Sequence, residues 1–182
     1  RQCIDQRKKA QLVERNSIFQ NVVRSLSMKK LRYILALTLA LSLQWTAQAQ
    51  DQINWMKFEE AIAANSSSPK MILVDVYTDW CGWCKKMDKE TFVDPAVVAH
   101  LKKNFYAVKL NAEDTNRKFE FMGKTYSEAD MAAAMRVRSY PNFVIIEPGL
   151  QNIAQLPGYR PAPDFLAGLN DLVKKAFGVK QP

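Results

Sequence analysis

The stretch Asp79-Trp80-Cys81-Gly82-Trp83-Cys84-Lys85-Lys86-Met87 follows directly on an apolar run, Met71-Ile72-Leu73-Val74-Asp75-Val76-Tyr77. The run is continuous rather than alternating, the pattern of a strand buried on both faces. The residues after the cysteines read as a helix. Two cysteines therefore stand where a strand ends and a helix begins. A C-x-x-C at such a junction is a dithiol redox centre, half of a zinc site, or a pair of inert core thiols.

Inventory separates these meanings. A structural zinc site wants four Cys or His ligands. The chain holds three cysteines, Cys3, Cys81 and Cys84, and a single histidine, His100. His100 sits among Val98, Ala99 and Leu101 on an expected helix, where a lone histidine packs or faces solvent. No metal is expected. Nor do the cysteines make a disulfide framework, which needs more of them at wider spacing.

The 182 residues suffice for one domain with a real core. Residues 1–49 carry nine of the 26 Lys/Arg and two of the 18 Asp/Glu, leaving 17 basic against 16 acidic residues beyond them. The basic balance thus belongs to the leading segment, and no basic stripe invites nucleic acid. Within that segment Met28-Lys29-Lys30-Leu31-Arg32 is a basic start. Tyr33 to Leu43 is an apolar run and Ala47-Gln48-Ala49 a small-residue site. The three features make a secretory signal peptide over residues 28–49, cleaved between Ala49 and Gln50. The run falls short of the ~20 residues of a membrane span; an uncleaved anchor is the competing reading. Residues 1–27 precede a plausible initiator, Met28, and are read as upstream of the functional protein. The expected domain is 50–182, exported to the periplasm.

Along that domain, Gln52 to Ala64 reads as a helix with Asn54 as N-cap, closed by the loop Asn65-Ser66-Ser67-Ser68-Pro69. After the cysteines the helix continues through Phe92. Asp94-Pro95 opens another, with Asp94 as N-cap and Pro95 in its first turn. Phe105 to Leu110 is a strand. The stretch 111–124 reads as polar and irregular, with Phe119, Phe121 and Met122 as cover for the core. Ser127-x-x-Asp130 is a capping box for a helix from Glu128 to Met135. Asn142 to Glu147 and Ile153 to Leu156 form a hairpin around Pro148-Gly149. Ala162 to Phe177 is an amphipathic helix. Strands alternating with helices and ending in a hairpin give an α/β fold on a mixed sheet.

The chemistry of a dithiol asks for one accessible thiolate of lowered pKa and a second thiol near enough to resolve a mixed disulfide. Cys81, at a helix N-terminus, meets the first need through the free N–H groups there. Cys84, one turn along the same face, meets the second. Asp75, inside the apolar strand, is costly unless it is paired or protonated. No cofactor is required.

From Val74 through Lys85 the sequence resembles the active-site segment of the thioredoxin family. The run onward through Pro95 resembles exported thioredoxin-like proteins and the periplasmic domain of the bacterial transmembrane thiol–disulfide interchange reductase. The resemblance covers most of residues 52–177. It implies a thioredoxin fold, α/β with a central mixed sheet flanked by helices and a cis-proline loop. By the same resemblance Cys81 is the nucleophile, Cys84 the resolving thiol, and Asp75 a buried acid that relays a proton, with Lys109 its neighbour. Pro141 is the cis-proline opposite the cysteines, exposing the backbone of Tyr140 to an extended substrate. Trp80 and Trp83 contact substrate. The implied partners are proteins with disulfides and a membrane-bound or soluble thiol donor, and the implied state is a monomer.

The sequence departs from the family pattern at Gly82-Trp83, with no histidine between the cysteines, and at Tyr77, where tryptophan is usual. The stretch 111–126 is longer than a minimal member needs. The expected function is an exported oxidoreductase that reduces or isomerises protein disulfides. The alternatives are a non-catalytic peptide-binding module on the same fold and a disulfide-forming oxidase.

Overall fold

A computed structural model describes residues 51–179, all within one compact unit. The expectations for residues 1–27, for the signal peptide, for Cys3 and for the Ala49–Gln50 bond lie outside the described residues.

The centre is β2 (Met71–Tyr77), the apolar run. On one side it pairs in parallel with β3 (Phe105–Asn111), which pairs in parallel with the two-residue β1 (Trp55–Met56). On the other it pairs antiparallel with β6 (Asn142–Ile146), which pairs antiparallel with β7 (Ile153–Pro157). The sheet order is β1-β3-β2-β6-β7, a mixed sheet as the strand–helix alternation and terminal hairpin predict.

Because successive side chains of a strand point to opposite faces, β2 feeds two cores. Met71 and Leu73 point to the face covered by Met87, Phe92, Val97, Leu101, Phe165 and Leu169. Ile72, Val74 and Val76 point to the other, covered by Phe58, Ala61, Phe119, Met131 and Ala132. The helices follow. The first face takes α2 (Gly82–Lys86), which runs on as a π-helical turn (Met87–Thr91), together with α3 (Pro95–Asn104) and α5 (Ala162–Phe177). The second face takes α1 (Phe58–Ser67) and α4 (Glu128–Ala134). Asp75 shares the parity of Met71 and Leu73, so it points to the face that carries the cysteine helix.

Two of the expected caps are where the sequence places them. Asp94 Oδ1 accepts from the N–H groups of Ala96 (2.8 Å) and Val97 (3.3 Å). The Ser127 hydroxyl accepts from Asp130 N–H at 3.0 Å while Ser127 N–H donates to the Asp130 carboxylate at 2.9 Å, a complete capping box.

Three expectations are corrected. First, no helix begins at Asn54. Residues 51–54 are irregular, Trp55–Met56 pair with Ala107 and Val108, and α1 starts at Phe58. Its N-terminus is held by Glu60, whose carboxylate accepts Lys57 N–H at 2.9 Å. Ser66 and Ser67 extend α1, and the loop begins at Ser68. Second, the helix after Cys84 is not uniformly α: Phe92 N–H donates to Met87 C=O at 2.9 Å, a five-residue step. Third, 111–126 is not irregular throughout. It contains an antiparallel hairpin, β4 (Lys118–Phe121) and β5 (Lys124–Ser127). Met122 and Gly123 make its two-residue turn with φ of 49° and 73°. Phe119 covers the core, but Met122 is 64% exposed at the tip.

Candidate active site

Cys81 is the N-cap of α2, just beyond the end of β2. Its N–H donates to Thr78 C=O and its C=O accepts from Lys85 N–H, both at 3.2 Å. Cys84, three residues on, faces back to it, and the two sulfurs are bonded at 2.08 Å with the Cα atoms 5.3 Å apart. Cys84 N–H donates to Cys81 Sγ at 3.1 Å. A backbone donor at the helix N-terminus is therefore aimed at the Cys81 sulfur. The two cysteines are only 4% and 3% exposed.

Two exposed indoles neighbour them in the sequence. Trp80 is 65% and Trp83 57% exposed. The Trp80 Nε1–H donates to Glu113 Oε1 at 2.8 Å, and its ring meets Tyr140 edge to face at 6.1 Å. Glu113 reaches this position because Asn111 Oδ1 takes the Glu113 N–H at 3.0 Å and turns the chain after β3. Tyr140 precedes Pro141 across a cis peptide bond. Pro141 C=O accepts Gly158 N–H at 2.9 Å, fixing this loop to the end of β7.

Beneath α2, Asp75 is buried, directly across the parallel ladder from Lys109. Lys109 Nζ lies 2.7 Å from Asp75 Oδ2 and also bonds Asp88, four residues beyond Cys84. Asp75 Oδ1 is buried with no hydrogen-bond partner. Burial pushes the Asp75 carboxyl up to about 6, against the opposing pull of the Lys109 ammonium. Burial alone would lower Lys109, but the Asp75 and Asp88 carboxylates outweigh it and hold its pKa above the usual lysine value. A cavity of about 410 Å3 is lined by Trp55, Asp88, Phe92 and Lys109 among others.

The structure thus gathers Cys81, Cys84, Trp80, Trp83 and Tyr140 at one end of the sheet and stacks the Asp75–Lys109 pair below α2. His100 lies apart, its ring against Phe105. Sequence reasoning passed over Asp88, Glu113 and Tyr159. Asp88 was findable, one helical turn beyond Cys84; Glu113 and Tyr159 carried no local signal, since only the fold brings them to the motif.

A disulfide pair capping a helix, on this sheet order, defines a disulfide-oxidoreductase type of fold. The chain belongs to the thioredoxin-like family: the model of the thioredoxin-like domain matches residues 58–172. The thiol:disulfide interchange protein DsbD of Vibrio vulnificus is 30% identical over 115 residues, 62% of this chain and 18% of that protein. Its counterpart in Pectobacterium atrosepticum is 49% identical over 39 residues, 21% of this chain and 7% of that protein. The chain therefore spans under a fifth of these relatives. Among solved structures, a Thermus thermophilus thioredoxin superposes with a TM-score of 0.57 at 22% identity, covering 70% of this chain and 92% of that one. A candidate disulphide-isomerase from Bacteroides thetaiotaomicron gives 0.55 at 27% identity, covering 70% and 98%.

Proposed function

We propose that the protein is an exported thiol–disulfide oxidoreductase that reduces or isomerises disulfides of other proteins. The carrying observation is the Cys81–Cys84 disulfide at the head of α2 with the ion pair of buried Asp75 and half-buried Lys109 on the same face of the sheet. In the reduced protein, the Cys81 thiolate attacks one sulfur of a partner disulfide and releases the other as a thiolate. Cys84 then loses its proton and attacks Cys81 Sγ, freeing the partner's second thiol. Two electrons pass to the partner, and the chain is left in the disulfide state seen here. A thiol donor returns it to the dithiol.

Asp75 takes the Cys84 proton in this scheme. With a carboxyl near 6 it is ionised at neutral pH, and its unpartnered Oδ1 is free to accept. Lys109 keeps that charge tolerable. The extended partner segment lies along Tyr140, pairing with its backbone as an added strand, and between the Trp80 and Trp83 rings. Export is supported by the basic, apolar and A-x-A succession of residues 28–49. It is checked by sequencing the N-terminus of the secreted protein, which should begin at Gln50.

The decisive experiment replaces the resolving thiol. Cys84→Ser should accumulate mixed disulfides with partner proteins through Cys81, and Cys81→Ser, Cys84→Ser should accumulate none. Absence of adducts together with no insulin reduction by the wild type would sink the proposal. Equilibration in a glutathione buffer then gives the direction: a potential near about −270 mV marks a reductant and one near about −120 mV an oxidant.

A further inference from the structure

Tyr159, in the segment between β7 and α5, touches the cysteine helix at three points. Its ring packs on Trp83 with centroids 5.2 Å apart. The Lys86 ammonium lies over both rings, 4.8 Å from the Tyr159 centroid and 5.3 Å from that of Trp83. The phenol donates to Glu90 Oε2 at 2.8 Å, and Glu90 lies 3.8 Å from Lys86. Residues 83, 86 and 90 form one stripe along the helix, so a single tyrosine closes over the stripe that begins between the two cysteines. The neighbouring backbone locks the same segment to the π-helical turn. Thr91 Oγ1 donates to Arg160 C=O at 2.7 Å, and Arg160 N–H contacts Met87 Sδ at 3.5 Å.

A half-exposed tryptophan would otherwise move among rotamers on the surface, and a partner would have to order it on binding. Stacking against Tyr159 fixes the indole beforehand. Trp80 is held likewise by Glu113 and Tyr140. The cysteines are buried and Trp83, between them in the sequence, is exposed, so a protein segment brought to the disulfide can rest on this indole, whereas a small disulfide need not.

We infer that Tyr159 is a positioning residue: it holds the Trp83 indole as one wall of the surface that receives protein disulfides. This rests on the oxidoreductase reading above. The test compares kcat/KM for insulin with kcat/KM for hydroxyethyl disulfide in the wild type, Trp83→Ala, Tyr159→Ala and Tyr159→Phe. The ratio of the two should fall at least fivefold in Trp83→Ala and in Tyr159→Ala, through a raised KM for insulin. A further variant that joins Trp83→Ala and Tyr159→Ala should fall no further than either single one. Tyr159→Phe keeps the ring and should recover most of the ratio. An unchanged ratio in Tyr159→Ala, an additive double variant, or a failure of Tyr159→Phe to recover would overturn the inference. A wild type that reduces neither disulfide would instead overturn the oxidoreductase reading.

Discussion

A carboxylate in the middle of an apolar strand is costly to bury. Asp75 is 1% exposed, and the single ammonium beside it is shared with Asp88. The folded carboxyl binds its proton up to about pH 6, whereas the unfolded one releases it near 3.8. Between those values the native state holds more protons than the unfolded state, so stability falls as pH rises through this window and levels off above it. A displacement of about two units corresponds to about 3 kcal/mol. Asp75→Asn, which mimics the protonated form, should therefore be more stable than wild type by about that amount at pH 8. The advantage should shrink to nothing by about pH 3, below both proton affinities. Urea denaturation at the two pH values checks this, and an equal difference at both would refute it. In the proposed scheme, where Asp75 takes the Cys84 proton, the same change should also slow the release of mixed disulfides.

At the scale of elements, the parts with a physical signature were readable in the sequence. β2 announced itself by an unbroken apolar run, α3 by Asp94-Pro95, α4 by its capping box and α5 by its stripe of apolar residues. β1 escaped because two residues cannot show a period, and Ile53, buried as the chain enters the strand, mimicked a helical spacing. The β4–β5 hairpin did carry a signal, the alternation Lys118-Phe119-Glu120-Phe121 ahead of Gly123, but a methionine stands where the turn favours Asn or Asp. The turn needs left-handed backbone at both positions. A Cβ at Gly123 would meet no atom within 4 Å, so Gly123→Ala tests the backbone alone. It should cost about 1 kcal/mol, read as a lowered urea midpoint with an unchanged slope. A neutral outcome would mean the hairpin is not coupled to global unfolding.

Across the whole molecule, the site is a product of topology. The motif alone supplied two sulfurs and a helix terminus. Lys109 meets Asp75 because β2 and β3 run parallel in a register that sets those residues side by side. Tyr140 meets Trp80 because β6 returns antiparallel beside β2. What holds that topology on the cysteine face is an aromatic nucleus: Phe92, Phe143 and Phe165 meet pairwise at 5.0 to 5.8 Å, and Trp55 caps Phe92 at 5.1 Å. Phe165 is fully buried, and Phe165→Ala should destabilise the fold by about 3–5 kcal/mol, measured by thermal or urea unfolding. A loss under 1 kcal/mol would show that the nucleus is not the keystone of this layer.

The β4–β5 hairpin lies over the sheet face opposite the cysteine helix, tethered through Phe119 and with its tip in solvent. The molecule thus has one side committed to sulfur chemistry and another with room to spare. Exposed loop tips remote from packed backbone are where chains best tolerate inserted sequence. A fluorophore, an affinity tag or a second module spliced between Met122 and Gly123 would ride on the far side of the sheet.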